Sequence, residues 1–241
     1  DGDVAAAAGA EYVKGGEDGK CMAGSLIIRM GNVNAKEVVE YVKQHPEDFV
    51  LAEDPFVRKT NPELASQICD VPDIHVVRGY FTLVREAQEK GEFPLTRNQV
   101  MFAFSPRRNE VYINCANVLH LDGSNAEEIT YAELETRKQV TQIVAFFKKY
   151  IAGFEEAYLI DTAPQIGVRE SRRIVGEYTL TADDVLGCKK FDDGIARGAY
   201  PSDIHGPDGG LVHRHVQGGG DYHIHYRCLV PKNIDNILVA G

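Results

Sequence analysis

The chain has 241 residues, of which 44% are hydrophobic and 26% charged, a composition ordinary for a soluble globular protein and a length that serves one large domain or two smaller ones. Acidic residues number 36 against 26 basic ones, and the net charge of -10 argues against a nucleic-acid surface, because phosphate binding needs a concentrated basic face. No apolar run approaches the roughly 20 residues that cross a bilayer, so no membrane role is expected.

Residues 1–9, DGDVAAAAG, read as a tight turn at Gly2 leading into a helix whose N-terminus favours the Asp3 carboxylate. GGEDGK at 15–20 is a loop. LIIRM at 26–30 reads as a buried strand, and residues 35–44 as an amphipathic helix with Val38, Val39 and Val42 on one side. Pro46, Pro55, Pro62 and Pro72 predict short helices and irregular connections to about residue 78, followed by a helix over 81–90 stopped by Gly91. Residues 99–104 and 110–114 flank SPRRN as a β-hairpin, with Arg107 and Arg108 at a solvated tip.

Thr130 and Glu133 form a capping-box pattern, which predicts a long helix to about residue 152. Its buried face would carry Leu134, Val140, Ile143, Val144, Phe147, Tyr150 and Ile151. Residues 158–160 read as a short strand. Beyond Pro164, strands are expected over 170–180, 195–200, 222–230 and 237–240, with a helix start at Thr181 and Asp184. Alternation would put Tyr222, Ile224 and Tyr226 on one face and His223, His225 and Arg227 on the other, with Tyr226 in the core. The expected fold class is α+β, a mixed, largely antiparallel sheet with packed helices. A Gly-x-Gly-x-x-Gly phosphate loop is missing from all 241 residues.

Five cysteines, Cys21, Cys69, Cys115, Cys188 and Cys228, form no C-x-x-C pair and read as free thiols of a reducing, cytoplasmic compartment. Five of the eight histidines lie in the last third: His205, His213, His215, His223 and His225. Two His-x-His pairs on facing strands, with Asp221 nearby, could ligate a metal, although no metal residue is assigned. A non-catalytic interaction module is a third reading.

Four stretches, DGDVAAAAG at 1–9, GVRESRRIVGEYTLTADDV at 167–185, ARGAYPSDIHGP at 196–207 and YHIHYRCLVPKNIDNILVAG at 222–241, together resemble the FAD-dependent oxidoreductases, two-domain Rossmann flavoproteins. His225 stands where the resembling segment often has proline. The resemblance implies that residues 1–24 edge the FAD-binding domain, that 25–233 form the substrate-binding domain, and that 234–241 return into the first. On this reading Asp1, Gly2, Asp3, Ala240 and Gly241 border the cofactor, and the chain is the substrate-side portion of a longer flavoprotein that binds FAD poorly alone. The longer protein would pass a hydride between flavin and an organic substrate. Such chemistry needs cations for a substrate anion and a proton carrier, and Arg169, Arg227 and His205 are the candidates. Asp203, two residues before His205, could fix its tautomer. The oligomeric state is left open.

Overall fold

The computed structural model describes residues 2–49, 76–93, 95–106, 109–205 and 211–240, of which 203–205 and 211–213 are described as backbone. In chain order the elements are α1 (Asp3–Ala7), β1 (Tyr12–Val13), β2 (Gly24–Gly31), α2 (Ala35–Gln44), β3 (Val76–Gly79), α3 (Phe81–Glu89), β4 (Val100–Phe104) and β5 (Glu110–Val118). They continue with α4 (Ala126–Tyr150), β6 (Tyr158–Thr162), β7 (Arg173–Ile174), α5 (Ala182–Leu186), β8 (Gly194–Gly198), β9 (Ser202–His205), β10 (Leu211–Arg214) and β11 (Tyr222–His225). The fold is α+β, and its ladders are antiparallel.

The chain forms two compact units. One comprises Gly24–Val118 and Thr130–Gly167, the other Asp1–Ala23, Leu119–Ile129 and Val168–Gly241. The first is built on a five-stranded sheet in the order β3-β4-β5-β2-β6. Period-two alternation turns Leu26, Ile28 and Met30 of β2, Val100, Phe102 and Phe104 of β4, and Val111, Ile113 and Cys115 of β5 into one core. Helices supply the rest of it: Val38 and Val42 from α2, Val84 and Ala87 from α3, and Val140, Ile143, Phe146 and Phe147 from α4. Phe102 is the hub, edge-on to Phe104, Phe147 and Phe154 at centroid distances of 5.7, 5.7 and 5.3 Å. On the opposite face Arg29 donates to Glu110 at 2.6 Å and lies over the Tyr112 ring.

The helix over 35–44 forms as the apolar spacing predicts, as do the helix over 81–89 and the hairpin of β4 and β5. The hairpin tip, Arg107 and Arg108, lies outside the described residues, as do Pro55, Pro62, Pro72 and Cys69. The long helix begins a turn before Thr130. Asn125 caps it, its side-chain oxygen accepting from the backbone of Glu127 at 3.0 Å. Glu133 instead accepts the backbone N–H of Ile166 at 2.5 Å. Leu134, expected in the core, is 60% exposed, because the buried stripe runs through Ala132, Thr136, Gln139 and Ile143. Two residues from Ala132 turn Leu134 about 200° away. Gly153, just past the helix, has φ +86, and a Cβ there would lie 2.6 Å from the Asn34 carbonyl oxygen, so glycine is required.

The second unit departs more from expectation. Of residues 170–180 a two-residue strand forms, because the segment divides its backbone bonds: Val175 donates to Glu11 and Glu177 to Val230. The strand expected over 222–230 stops at His225, where a register shift is followed by a 3-10 turn over Tyr226–Cys228. Tyr226 is therefore 46% exposed rather than core, while His225 is wholly buried. Residues 237–240 form no strand, and Val239 makes a single backbone bond, to Leu229 at 2.8 Å. Cys21, Cys115, Cys188 and Cys228 are free thiols. No helix among the described residues is long and apolar enough to cross a membrane.

Truncating Phe102 to alanine should lower stability in urea unfolding by about 3–5 kcal/mol, as core aromatics do. Leu134→Ala should change it by less than about 0.5 kcal/mol, as surface substitutions do.

Candidate functional site

In the second unit, polar anchors hold an aromatic cage. Thr181 and Asp184 form the capping box that the sequence indicates: Thr181 Oγ1 accepts from the Asp184 N–H at 3.2 Å, and the Asp184 carboxylate accepts from the Thr181 N–H at 3.0 Å. That carboxylate also takes the Lys189 ammonium at 2.6 Å and the Tyr178 hydroxyl at 2.8 Å. The Lys189 ammonium, with the backbone and hydroxyl donors, holds Asp184 well below the usual carboxylate range despite its burial. Lys189 in turn lies over the rings of Phe191 and Tyr178, at 4.9 and 5.6 Å.

These two rings enclose His225. Its imidazole is 4.1 Å from the Phe191 centroid and 4.4 Å from that of Tyr178. Among the described residues neither ring nitrogen has a hydrogen-bond partner, although Nδ1 lies 3.4 Å from Asp193 Oδ2. Asp193 is taken by Arg227, whose Nε and Nη2 donate at 3.0 and 3.2 Å in a two-pronged grip. The Arg227 side chain is 52% exposed and passes over Tyr178 at 5.6 Å. Among the described residues its Nη1 donors have no protein partner.

The other expected site residues sit elsewhere in this unit. Arg169 is half-buried. Its neighbours Arg172 and Arg173 are structural: Arg172 donates to Asp3 and covers the Tyr12 ring, and Arg173 donates to Glu170 and to the Gly15 carbonyl. Because β7 is two residues long, strand alternation does not set the faces of the three arginines. His205 ends β9, opposite Leu211, and the same register places Asp203 opposite His213. Gly2 packs closely, such that a Cβ would meet the Arg172 carbonyl oxygen at 2.6 Å. Ala240 is exposed, and Asp1 and Gly241 lie outside the described residues.

The facing-strand geometry needed for a histidine metal site does not form. His213 lies on β10, which pairs with β9, and His223 on β11, which pairs with β8. The irregularity between Ile224 and His225 further separates His225 from the face of His223, which instead meets the Phe191 N–H at 3.2 Å through Nδ1. Among the described residues no group of three or more His, Cys, Asp or Glu is placed to hold a metal ion.

Asp193, Tyr178, Phe191 and Lys189 were not singled out by sequence reasoning. The usable signal was the adjacent pair Asp192 and Asp193 facing an arginine-bearing segment 34 residues on, which spacing rules within one element do not register.

Arg227, foremost, lowers the Asp193 carboxyl from 3.8 to about 2. A depressed folded-state value stabilises the fold above pH 3.8, and that contribution is lost as pH falls toward about 2. Thermal midpoints of the wild type and Asp193→Asn should therefore differ at pH 6 and converge through this acid window. A constant difference would show that the ionised Asp193 contributes nothing to the fold. Thr181→Ala should cost about 1 kcal/mol at neutral pH, the usual loss of a helix cap.

No curated protein and no solved structure shows a match to the chain. The family model described as FAD dependent oxidoreductase matches residues 1–241. The match covers every residue, and with it the arginine-, histidine- and aspartate-bearing segments just described: the chain belongs to the FAD-dependent oxidoreductase family.

Proposed function

We propose that these 241 residues supply the substrate-binding part of an oxidoreductase whose FAD exchanges a hydride with a small organic substrate. The observation that carries the reading is Arg227. Two of its nitrogens are fixed by Asp193 and its guanidinium lies over Tyr178, so it is held in place while its Nη1 donors stay open to a substrate carboxylate or other anion. Orientation fixed in advance lowers the ordering cost of binding. Arg169 is a second cation for the same class of ligand, and His205 is the candidate for moving a proton at the substrate. On this reading residues 25–233 serve the substrate, and 1–24 with 234–241 border the cofactor domain.

FAD brings the hydride chemistry when bound. The residues expected at the cofactor border are engaged within the chain. Gly2 is packed against Arg172, Asp3 is engaged by the Arg172 guanidinium, and no Gly-x-Gly-x-x-Gly run exists in the chain.

The decisive measurement is the visible spectrum of the purified full-length protein. Flavin absorbance is expected, and its absence, together with failure to bind added FAD, would sink the reading. Once a substrate is in hand, Arg227→Gln should raise KM about 10- to 100-fold with kcat largely kept, the scale of a lost charge-assisted contact. An unchanged KM would remove Arg227 from the site.

A further inference from the structure

We infer that a cleft in the second unit, beside α1 and β1, binds a small, uncharged planar heterocycle through a lactam-type edge, an N–H next to a C=O. The cleft encloses about 520 Å³ and is lined by Asp3, Ala6, Tyr12, Gly123, Ser124 and Arg172 among others. That volume lies within the range of small-molecule sites.

The chemistry of the ligand follows from the Arg172–Asp3 pair. One hydrogen bond joins them, from Nη1 to Oδ1. Among the described residues the second oxygen of Asp3 and the Nε and Nη2 donors of Arg172 make no hydrogen bond. A guanidinium donor beside a carboxylate acceptor is complementary to a ligand edge with an acceptor beside a donor. Charge argues in the same direction. Asp3 neutralises Arg172, and Lys14 and Asp122, 2.6 Å apart, form a second neutral pair on the neighbouring loop. An anion would meet the Asp3 carboxylate and a cation the Arg172 guanidinium, so an uncharged ligand is favoured.

Planarity follows from the walls. The Arg172 guanidinium lies over Tyr12, 5.6 Å from the ring centroid, and Tyr12 is 41% exposed, so a flat ligand held edge to edge by the guanidinium has the Tyr12 ring to lie on. Facing them are small residues. Gly123 cannot carry a side chain, because a Cβ would overlap the Val168 side chain, and Ala6 adds a single methyl.

The test is an NMR titration of the full chain with uracil, which has lactam edges, and with 1,3-dimethyluracil, which keeps the ring and carbonyls but has no N–H. Uracil should give saturable shifts at Tyr12, Gly123 and Ser124, and the dimethyl analogue should bind at least about tenfold more weakly, the scale of a lost hydrogen bond. Arg172→Gln and Asp3→Asn should weaken uracil binding similarly. Should either variant unfold, Ala6→Leu, which narrows the cleft and leaves the ion pair intact, should abolish the shifts. Equal binding of the two probes, or uracil binding that survives both Arg172→Gln and Ala6→Leu, would overturn the lactam edge. No saturable shift at millimolar uracil would overturn the site. None of these readouts depends on flavin or substrate turnover, so the proposed function stands or falls separately.

Discussion

Glu170 buries a carboxylate, 6% exposed, where three stretches of chain meet. One oxygen accepts the Met22 backbone N–H at 2.9 Å, and the other is paired with Arg173, which also donates to the Gly15 carbonyl. Desolvating such a charge costs several kcal/mol unless each lone pair is met, so removing any partner leaves an uncompensated ion. The second unit depends on this arrangement because it has little else. The apolar cluster of Leu26, Ile28, Phe102, Phe147 and their neighbours lies entirely in the first unit. Among the described residues of the second, the buried apolar side chains are few and mostly small, namely Ala5, Ala10, Cys21, Ala23, Leu121 and Val216.

A unit held by ions spends its cations on itself. Arg172 and Arg173 come from a segment dense in arginine, yet each is committed to a carboxylate, as Lys189 is to Asp184. Arg172 and Arg227 are nevertheless engaged only in part. Asp193 uses one edge of the Arg227 guanidinium and leaves the other free, which is how one side chain can serve both architecture and ligand. Counting arginines in a sequence therefore overstates the cations available for binding, and the correction comes from their partners.

Local pattern made several elements of both units readable. Val38 and Val42 recur at helical spacing, residues 100–104 and 110–114 alternate around a turn, and Thr181 announces its helix through Asp184 three residues later. Each signal is a relation between near neighbours, which is what periodicity and capping encode. Leu134 failed because three- and four-residue spacing fits more than one stripe on a long helix, and the facing sheet chooses among them. The long-range ion pairs were illegible for a different reason. Glu170 meets Met22 across 148 residues, Arg173 meets Gly15 across 158, and Asp193 meets Arg227 across 34. Opposite charges at such separations have too many possible pairings for composition or spacing to select one. The resemblance carried by residues 167–185 and 222–241 supplies none of those pairings.

His225 shows how far the polar design extends. An imidazole with no hydrogen-bond partner at either nitrogen among the described residues, enclosed by two aromatic rings, is an expensive occupant of a buried site. The imidazole places Nδ1 3.4 Å from the carboxylate that orients Arg227. The half-exposed Arg227 is thus linked through one carboxylate to the wholly buried His225, and substitution at either changes what that carboxylate meets. Separating the two contacts takes paired variants at Asp193, since it alone among the described residues contacts Arg227 and His225 through the same oxygen.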